Sequence, residues 1–389
     1  MPVRLLHSLS EIPAVDWNNL AGDANPFVRH EFLHALERAG CTGAGTGWLS
    51  HPVVVTDESS GKLLGAVPLY LKEHSYGEYV FDWAWANAYA RANLEYYPKL
   101  VAAVPFTPAA GPRLLIAPQA NHAAVANALI EAALTHAQQL RVSSLHWLFT
   151  TEPEIQLLKR HGLLRRSGFQ FHWSNPGYRD FEDFLASFTA DKRKKVRRER
   201  RAVREADVTV EMRDGLTLSA SDWDRFHEFY HATVRAHGAI PYLTPAFFRM
   251  IGETMPQSTL LALARRGSTT IGGALFFRGR DTLYGRYWGG TEHVPGLHFE
   301  TCYYAAIEYC IAHGLKRFEA GAQGEHKLAR GFVPTPTYSA HWLAHPQFAR
   351  AVADFLAREH GNLEYAMHEL NEHAPFKKQN GITPVRAEL

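Results

Sequence analysis

Apolar and polar positions along the chain spell the same hairpin twice. "HPVVVTDESSGKLLGAVPLYL" (residues 51–71) and "LLALARRGSTTIGGALFFRG" (260–279) each read as strand, Gly/Ser turn, strand, with Gly65 and Gly272 in matching places. The echo continues at helical period. "NALIEAALTHAQQLRVSSLHWLFTTEPEIQLLKRHGLL" (127–164) and "YYAAIEYCIAHGLKRFEAGAQGEHKLARGFV" (303–333) both give a long helix, a strand and a short helix, Gly162 matching Gly331. The spacing between copies falls from 207 to 169 residues, so the first copy carries an insertion, and the aromatic segment from about 81 to 118 is the candidate.

Each copy is therefore antiparallel strands, a helix, a strand and a short helix, and the chain is an α+β (mixed α/β) tandem. The turn-forming Asn175-Pro176-Gly177 marks the join, giving units of 1–170 and 171–389. In "PQFARAVADFLAREHG" (346–361), Phe348, Val352, Phe355 and Leu356 share a helical face, so a C-terminal helix is expected to pack on the second unit.

Length and composition agree with two folded domains: 389 residues, 46% hydrophobic. A formal charge of +2 gives no global pull toward nucleic acid or membrane, so any polyanion contact must be local. The three cysteines, Cys41, Cys302 and Cys310, form no C-x-x-C pair, as expected in a reducing compartment. The first residues are too polar for a signal peptide, and no window approaches 18 uninterrupted apolar residues. A cytoplasmic protein with no integral membrane contact is the expectation.

His227-Glu228-Phe229-Tyr230-His231, with His237 beyond, has the spacing of a zinc protease helix. Trp223, Phe226, Phe229, Tyr230 and Val234 nevertheless form an unbroken apolar stripe, with Ser221 or Asp222 as cap and Gly238 at the end. Where a glycine would turn the chain toward a third histidine stands Val234, which disfavours positive φ. No metal is expected.

Residues 192–201 carry eight Lys or Arg within a helix expected over 190–205. Lys195–Glu199 and Arg201–Glu205 pairs would make this a solvated face. Its density also suits phosphates, through Lys192, Arg193, Arg197 and Arg201.

With "GEYVFDWAWANAY" and "PFTPAAGPRLL" at the front and "DKRKKVRRERR", "RYWGG", "HFETCYY" and "FEAGAQGEHKLARGF" following in that order, the sequence resembles the FemAB-like predicted N-acyltransferases over nearly its whole length. The resemblance implies two tandem GNAT-type folds and a role in peptidoglycan biosynthesis or recognition. In such a fold an acyl donor lies between two splayed strands, here "TLYGRYWGG" and "KRFEAGA", while an amine attacks its carbonyl.

Amine acylation needs a base, oxyanion donors and an acid. Glu319 and Glu325 are candidate bases, His326 a base or donor, and Tyr338 and His341 acids. Lys327 and Arg330 are anion partners, and Arg286, Tyr287, Glu300, Asp82 and Trp83 further substrate contacts. "GGTEHVPGLHFE" lacks the spaced glycines that cup coenzyme A pyrophosphate, so the donor is acyl-CoA or aminoacyl-tRNA, with no permanently bound cofactor. The acceptor is a small-molecule or cell-wall-precursor amine. A non-catalytic tRNA- or phosphate-binding module is the first alternative reading, a zinc protease the second.

Overall fold

The computed structural model describes residues 1–321 and 324–377. The first copy runs β1 (Val3–Leu5), α1 (Ala14–Ala21), α2 (His30–Arg38), β2 (Trp48–Ser50), β3 (Val53–Thr56), β4 (Leu63–Val67), β5 (Leu69–Lys72), α3 (Trp83–Arg91), β6 (Lys99–Ala102), β7 (Leu115–Ile116), α4 (His122–Gln139), β8 (Ser144–Thr150), α5 (Glu152–Arg160) and β9 (Leu164–Ser174). After α6 (Phe181–Ala186) and α7 (Ala190–Glu205), the plan repeats. It runs β10 (Val208–Asp214), α8 (Ala220–Ala236), α9 (Pro245–Thr254), β11 (Thr259–Arg266), β12 (Thr269–Arg278), β13 (Thr282–Gly290), α10 (Leu297–Phe299), α11 (Ala305–Ala312), β14 (Arg317–Glu319) and β15 (Val333–Leu343), closed by α12 (Pro346–Glu372). The turn Glu300–Tyr304 is π-helical and joins α10 to α11.

Eleven strands form one sheet, in the order β10-β11-β12-β13-β14-β9-β15-β8-β6-β5-β2. Each copy lends its last strand to the other. β9, the end of the first copy, pairs with β14 of the second, and β15, the end of the second, pairs with β8 of the first. β9 and β15 also pair with each other along nine positions. The join near residue 170 thus falls inside a strand, and the two units share a sheet.

The first hairpin is interrupted where the second is continuous. Trp48↔Lys72 and Ser50↔Tyr70 lead to Val53↔Val67, a register that sets Pro52 opposite Pro68. Neither proline can donate to the ladder. β1, β3, β4 and β7 accordingly peel off as a separate four-stranded sheet.

The expected insertion needs division. β6, inside it, pairs in parallel with β8 as β13 pairs with β14, so it belongs to the common fold. The extra material lies on either side, at 73–98 with α3 and at 103–121. The C-terminal helix also packs differently from expectation. Val352 and Leu356 of α12 bury against Trp85 and Tyr89 of the first copy's added helix, with Tyr96 just beyond it and Leu343 at the end of β15, and Phe355 is exposed. Its far end returns to the second copy, where Thr189 donates to the Pro375 carbonyl and Phe188 bridges to Phe376.

Candidate active site

β13 and β14 run parallel through Thr282↔Arg317, Leu283↔Phe318 and Tyr284↔Glu319, and there β14 ends. β13 stays paired with β12 as far as Gly290, so a cleft opens beyond Glu319. It encloses about 110 Å³ between Gly285–Trp288 on one side and His298, Cys302, Tyr303 and Ala320 on the other. Register slips at its edge: Leu275 pairs with Tyr287 and Phe276 with Gly285, leaving Arg286 as the extra residue of a β-bulge. Bulges re-aim side chains and free backbone groups, and they concentrate beside active sites. Here Arg286 Nη2 (2.6 Å) and Tyr287 Oη (3.2 Å) both donate to the Phe106 carbonyl.

Phe106 belongs to "PFTPAAGPR", which crosses from the first copy and is held at nearly every carbonyl. Gln170 donates to Pro108 (2.7 Å), Asn25 to Ala110 (3.2 Å) and Arg113 to Ala109 (2.9 Å). Beneath this loop sit Glu319, His172 and Gln170 on one sheet face. Glu319 Oε2 lies 4.0 Å from His172 Nε2, which is 3.4 Å from Gln170 Oε1. Burial pushes the Glu319 carboxyl up to about 7 and the His172 imidazole down to about 3. Oε2 of Glu319 has no hydrogen-bond partner among the described residues.

Lys327 is buried at the same end of the cleft and donates to the Gly321 carbonyl at 2.9 Å. Among the described residues no carboxylate lies within ion-pair distance of it. Burial lowers its ammonium to about 8, the neighbouring Arg286 adding to the effect. Tyr303 Oη and His326 Nε2 lie 2.9 Å apart, burial raising the phenol and lowering the imidazole. His298 is pushed down to about 4 by burial. Glu325 opens the 3-10 turn Glu325–Arg330 and is exposed.

Several expected ligand contacts are engaged in folding instead. Glu300 is buried against Arg200 (2.9 Å), and Arg330 against both oxygens of Glu199 (2.9 Å). Both pairs fasten α7 to the second copy, so Glu199 does not make the expected pair with Lys195. Arg193 donates to the Phe188 carbonyl, Arg197 pairs with Glu182, and Arg201 with Glu205 at 4.0 Å. Lys192 is half-buried, and Lys194, Lys195, Arg198 and Arg204 complete the outward basic face.

Tyr338 and His341 lie away from the cleft, because β15 is the exchanged strand. Both sit in the first copy's half of the sheet, and His341 is buried against His146 and Trp85. Asp82 is buried too, bound by Tyr96 Oη (2.6 Å) and paired with Lys99, while Trp83 beside it is 39% exposed. On α8, the cap is Ser219 rather than Ser221 or Asp222. Glu228 pairs with Arg225, and His237 Nδ1 turns to the Thr233 carbonyl, 2.8 Å away. Among the described residues no cluster of three His, Cys, Asp or Glu has metal-site geometry.

A family model described as FemAB-like, peptidoglycan biosynthesis/recognition, matches residues 8–378. The chain belongs to the FemAB-like family. Its fold is also that of solved relatives at low identity. A crystal structure of FemX aligns at 12% identity and TM-score 0.54, covering 90% of this chain and 100% of that one. The C-terminal domain of a putative lysylphosphatidylglycerol synthetase from Agrobacterium fabrum aligns at 10% and 0.55, covering 89% and 96%. No curated protein matches the sequence. In this FemAB-like chain the cleft beside β13 is the place where the two parallel strands of the second copy part. His172, Gln170 and Tyr303 escaped the sequence reading. The signal for the first two was "FQFHW", where polar residues alternate along a strand too apolar to face water.

Proposed function

We propose that this chain transfers an activated acyl or aminoacyl group to an amine in peptidoglycan precursor metabolism, in the cleft beside β13 and β14. The carrying observation is Lys327, a buried ammonium with no carboxylate within ion-pair distance among the described residues, in a cleft beyond which burial also holds the Glu319 carboxyl near neutrality. An unpaired buried cation is costly unless a ligand's negative charge completes it. FemAB-like membership and the fold support acyl transfer of this kind.

In the step, the amine nitrogen attacks the donor carbonyl, forming the C–N bond and breaking the bond to the carrier. Glu319 takes the amine proton. Lys327 and a backbone N–H freed at the Arg286 bulge face the developing oxyanion. Tyr303, backed by His326, returns a proton to the leaving atom. Metal is not needed in this scheme.

The donor is aminoacyl-tRNA rather than a coenzyme A thioester. Gly296 begins the helix whose N-terminus would receive a pyrophosphate, and a Cβ there would meet the Glu199 carbonyl at 2.8 Å. α7 occupies that approach and turns a basic face outward, which suits a polynucleotide. Charged tRNA and acetyl-CoA should be offered in parallel with a lysine-containing cell-wall precursor, following the product by mass. Transfer from charged tRNA, lost in Lys327→Ala, is the expected result. Transfer from neither donor, with both ligands bound, would leave a binding module and overturn the reading.

A further inference from the structure

A larger cavity lies elsewhere, about 460 Å³ where the exchanged strands β9 and β15 run side by side. Its size is that of a small-molecule site, typically ~300–1,000 Å³. Gly168 and Thr337 form the floor, Tyr79–Phe81 and Phe149 the walls, and Asn362 of α12 part of the roof. A Cβ on Gly168 would meet only Thr337 Oγ1, at 3.1 Å, so the missing side chain leaves the floor open.

Two wall residues are held in the left-handed region, Tyr79 at φ 61° and Phe149 at φ 53°. For aromatic side chains that conformation costs about 1–3 kcal/mol each and concentrates at binding and catalytic sites.

The lining selects a ligand class by elimination. Its only charges, Arg166 and Glu359, neutralise each other at 2.7 Å, and Arg166 also donates to the Phe81 carbonyl at 2.8 Å. A phosphate or nucleotide therefore finds no spare cation. β9 and β15 pair with each other along the floor, Gly168 opposite Thr337, so the ladder between them is closed to a peptide backbone. What remains is a neutral surface. Thr337 and Asn362 have no side-chain partners among the described residues, and Phe81, 56% exposed, stands at the mouth. Tyr76 and Trp83, also exposed, meet edge to face beside it at 5.2 Å. An aromatic rim over free hydroxyl and amide groups suits a ring with one C–H face and a hydroxylated edge.

We propose that this cavity binds a neutral sugar ring. Binding there needs no acyl donor, so it stands apart from the transfer reaction. The full chain should be titrated calorimetrically with N-acetylglucosamine and its β-1,4 dimer, with Ala-Ala and inorganic phosphate as comparisons. Sugar binding is expected, unchanged between 50 mM and 500 mM salt because no net charge is involved. Phe81→Ala and Asn362→Ala, both at exposed positions, should each weaken it at least about tenfold, as loss of a ring contact or a hydrogen bond to a bound ligand commonly does. Gly168→Leu should abolish it by filling the floor, with circular dichroism confirming the fold. Absence of sugar binding, sugar binding indifferent to Phe81→Ala and Asn362→Ala, or binding of Ala-Ala or phosphate in its place would overturn the proposal.

Discussion

Nδ1 of His146 and Nδ1 of His341 lie 2.7 Å apart, the two residues facing each other from β8 and the exchanged strand β15. At this contact one ring donates and the other accepts, which requires at least one neutral imidazole. Their outer nitrogens rest on Ser144 (2.7 Å) and Ser339 (2.9 Å). Burial pushes His146 down to about 3 and His341 well below its usual range.

Because the folded values are depressed, the unfolded chain binds more protons below about pH 6.5. Stability from this pair is therefore complete above that pH and is lost as pH falls toward the folded values. Each histidine should cost about 2 kcal/mol by pH 5. Urea denaturation from pH 7.5 to 5 measures the slope, and His341→Gln should flatten it. An unchanged slope would mean that the pair titrates normally.

Glu319 makes the opposite statement about activity. A base whose carboxyl is raised to about 7 is half protonated at neutral pH, so turnover should fall above about pH 8, where the lowered Lys327 ammonium gives up its proton, and climb through pH 7 on a limb set by Glu319. Glu319→Gln should lower kcat by roughly 10²-fold or more and remove that limb. Lys327→Ala should also lower kcat, because the oxyanion it faces develops only in the transition state, but should keep the rise through pH 7. Steady-state kinetics across pH separates the two roles.

α7 has two faces with different duties. Removing Arg200 leaves Glu300 buried beside it without a partner, a loss of about 3–5 kcal/mol by the usual scale for broken buried pairs. Arg200→Met should therefore lower the melting temperature markedly. Changing Lys194, Lys195, Arg198 and Arg201 to Gln should leave melting nearly unchanged while weakening tRNA binding and reducing its salt slope. Equal effects from both sets would contradict this division.

What the sequence disclosed was local. The doubled hairpins, the parallel pair "TLYGRYWGG" and "KRFEAGA", and the basic helix all carry their signal within a few residues. Strand exchange leaves no such mark, since β9 and β15 have the same alternation whichever partner they take. That is why Tyr338 and His341 were expected near Glu319 and lie in the other half of the sheet. Glu199 and Arg200 sit in a run of charges whose inward members differ from their neighbours only through partners a hundred residues away. Pro52 and Pro68 were visible, but only the register sets them face to face.

Arg113 separates the two copies functionally. In the first copy β6 and β8 last pair at Ala102↔Trp147, so the next residue, Leu148, corresponds to Ala320 at the open cleft of the second. The Leu148 carbonyl faces no cleft: it accepts from Arg113 Nε at 2.9 Å, and the same guanidinium serves Gly111, Pro112 and Ala109. Arg113 is completely buried, so this side chain fills the splay where a donor would lie. Arg113→Ala should strand several buried carbonyls and cost at least about 3 kcal/mol, since each unsatisfied group costs about 1–3. It should also loosen the loop that covers Glu319, so hydrogen exchange should quicken at Gly111 and Ala110. If the variant melts like the parent with unchanged exchange there, Arg113 is not the plug of the first cleft, and that copy's capacity to hold a donor is open to it again.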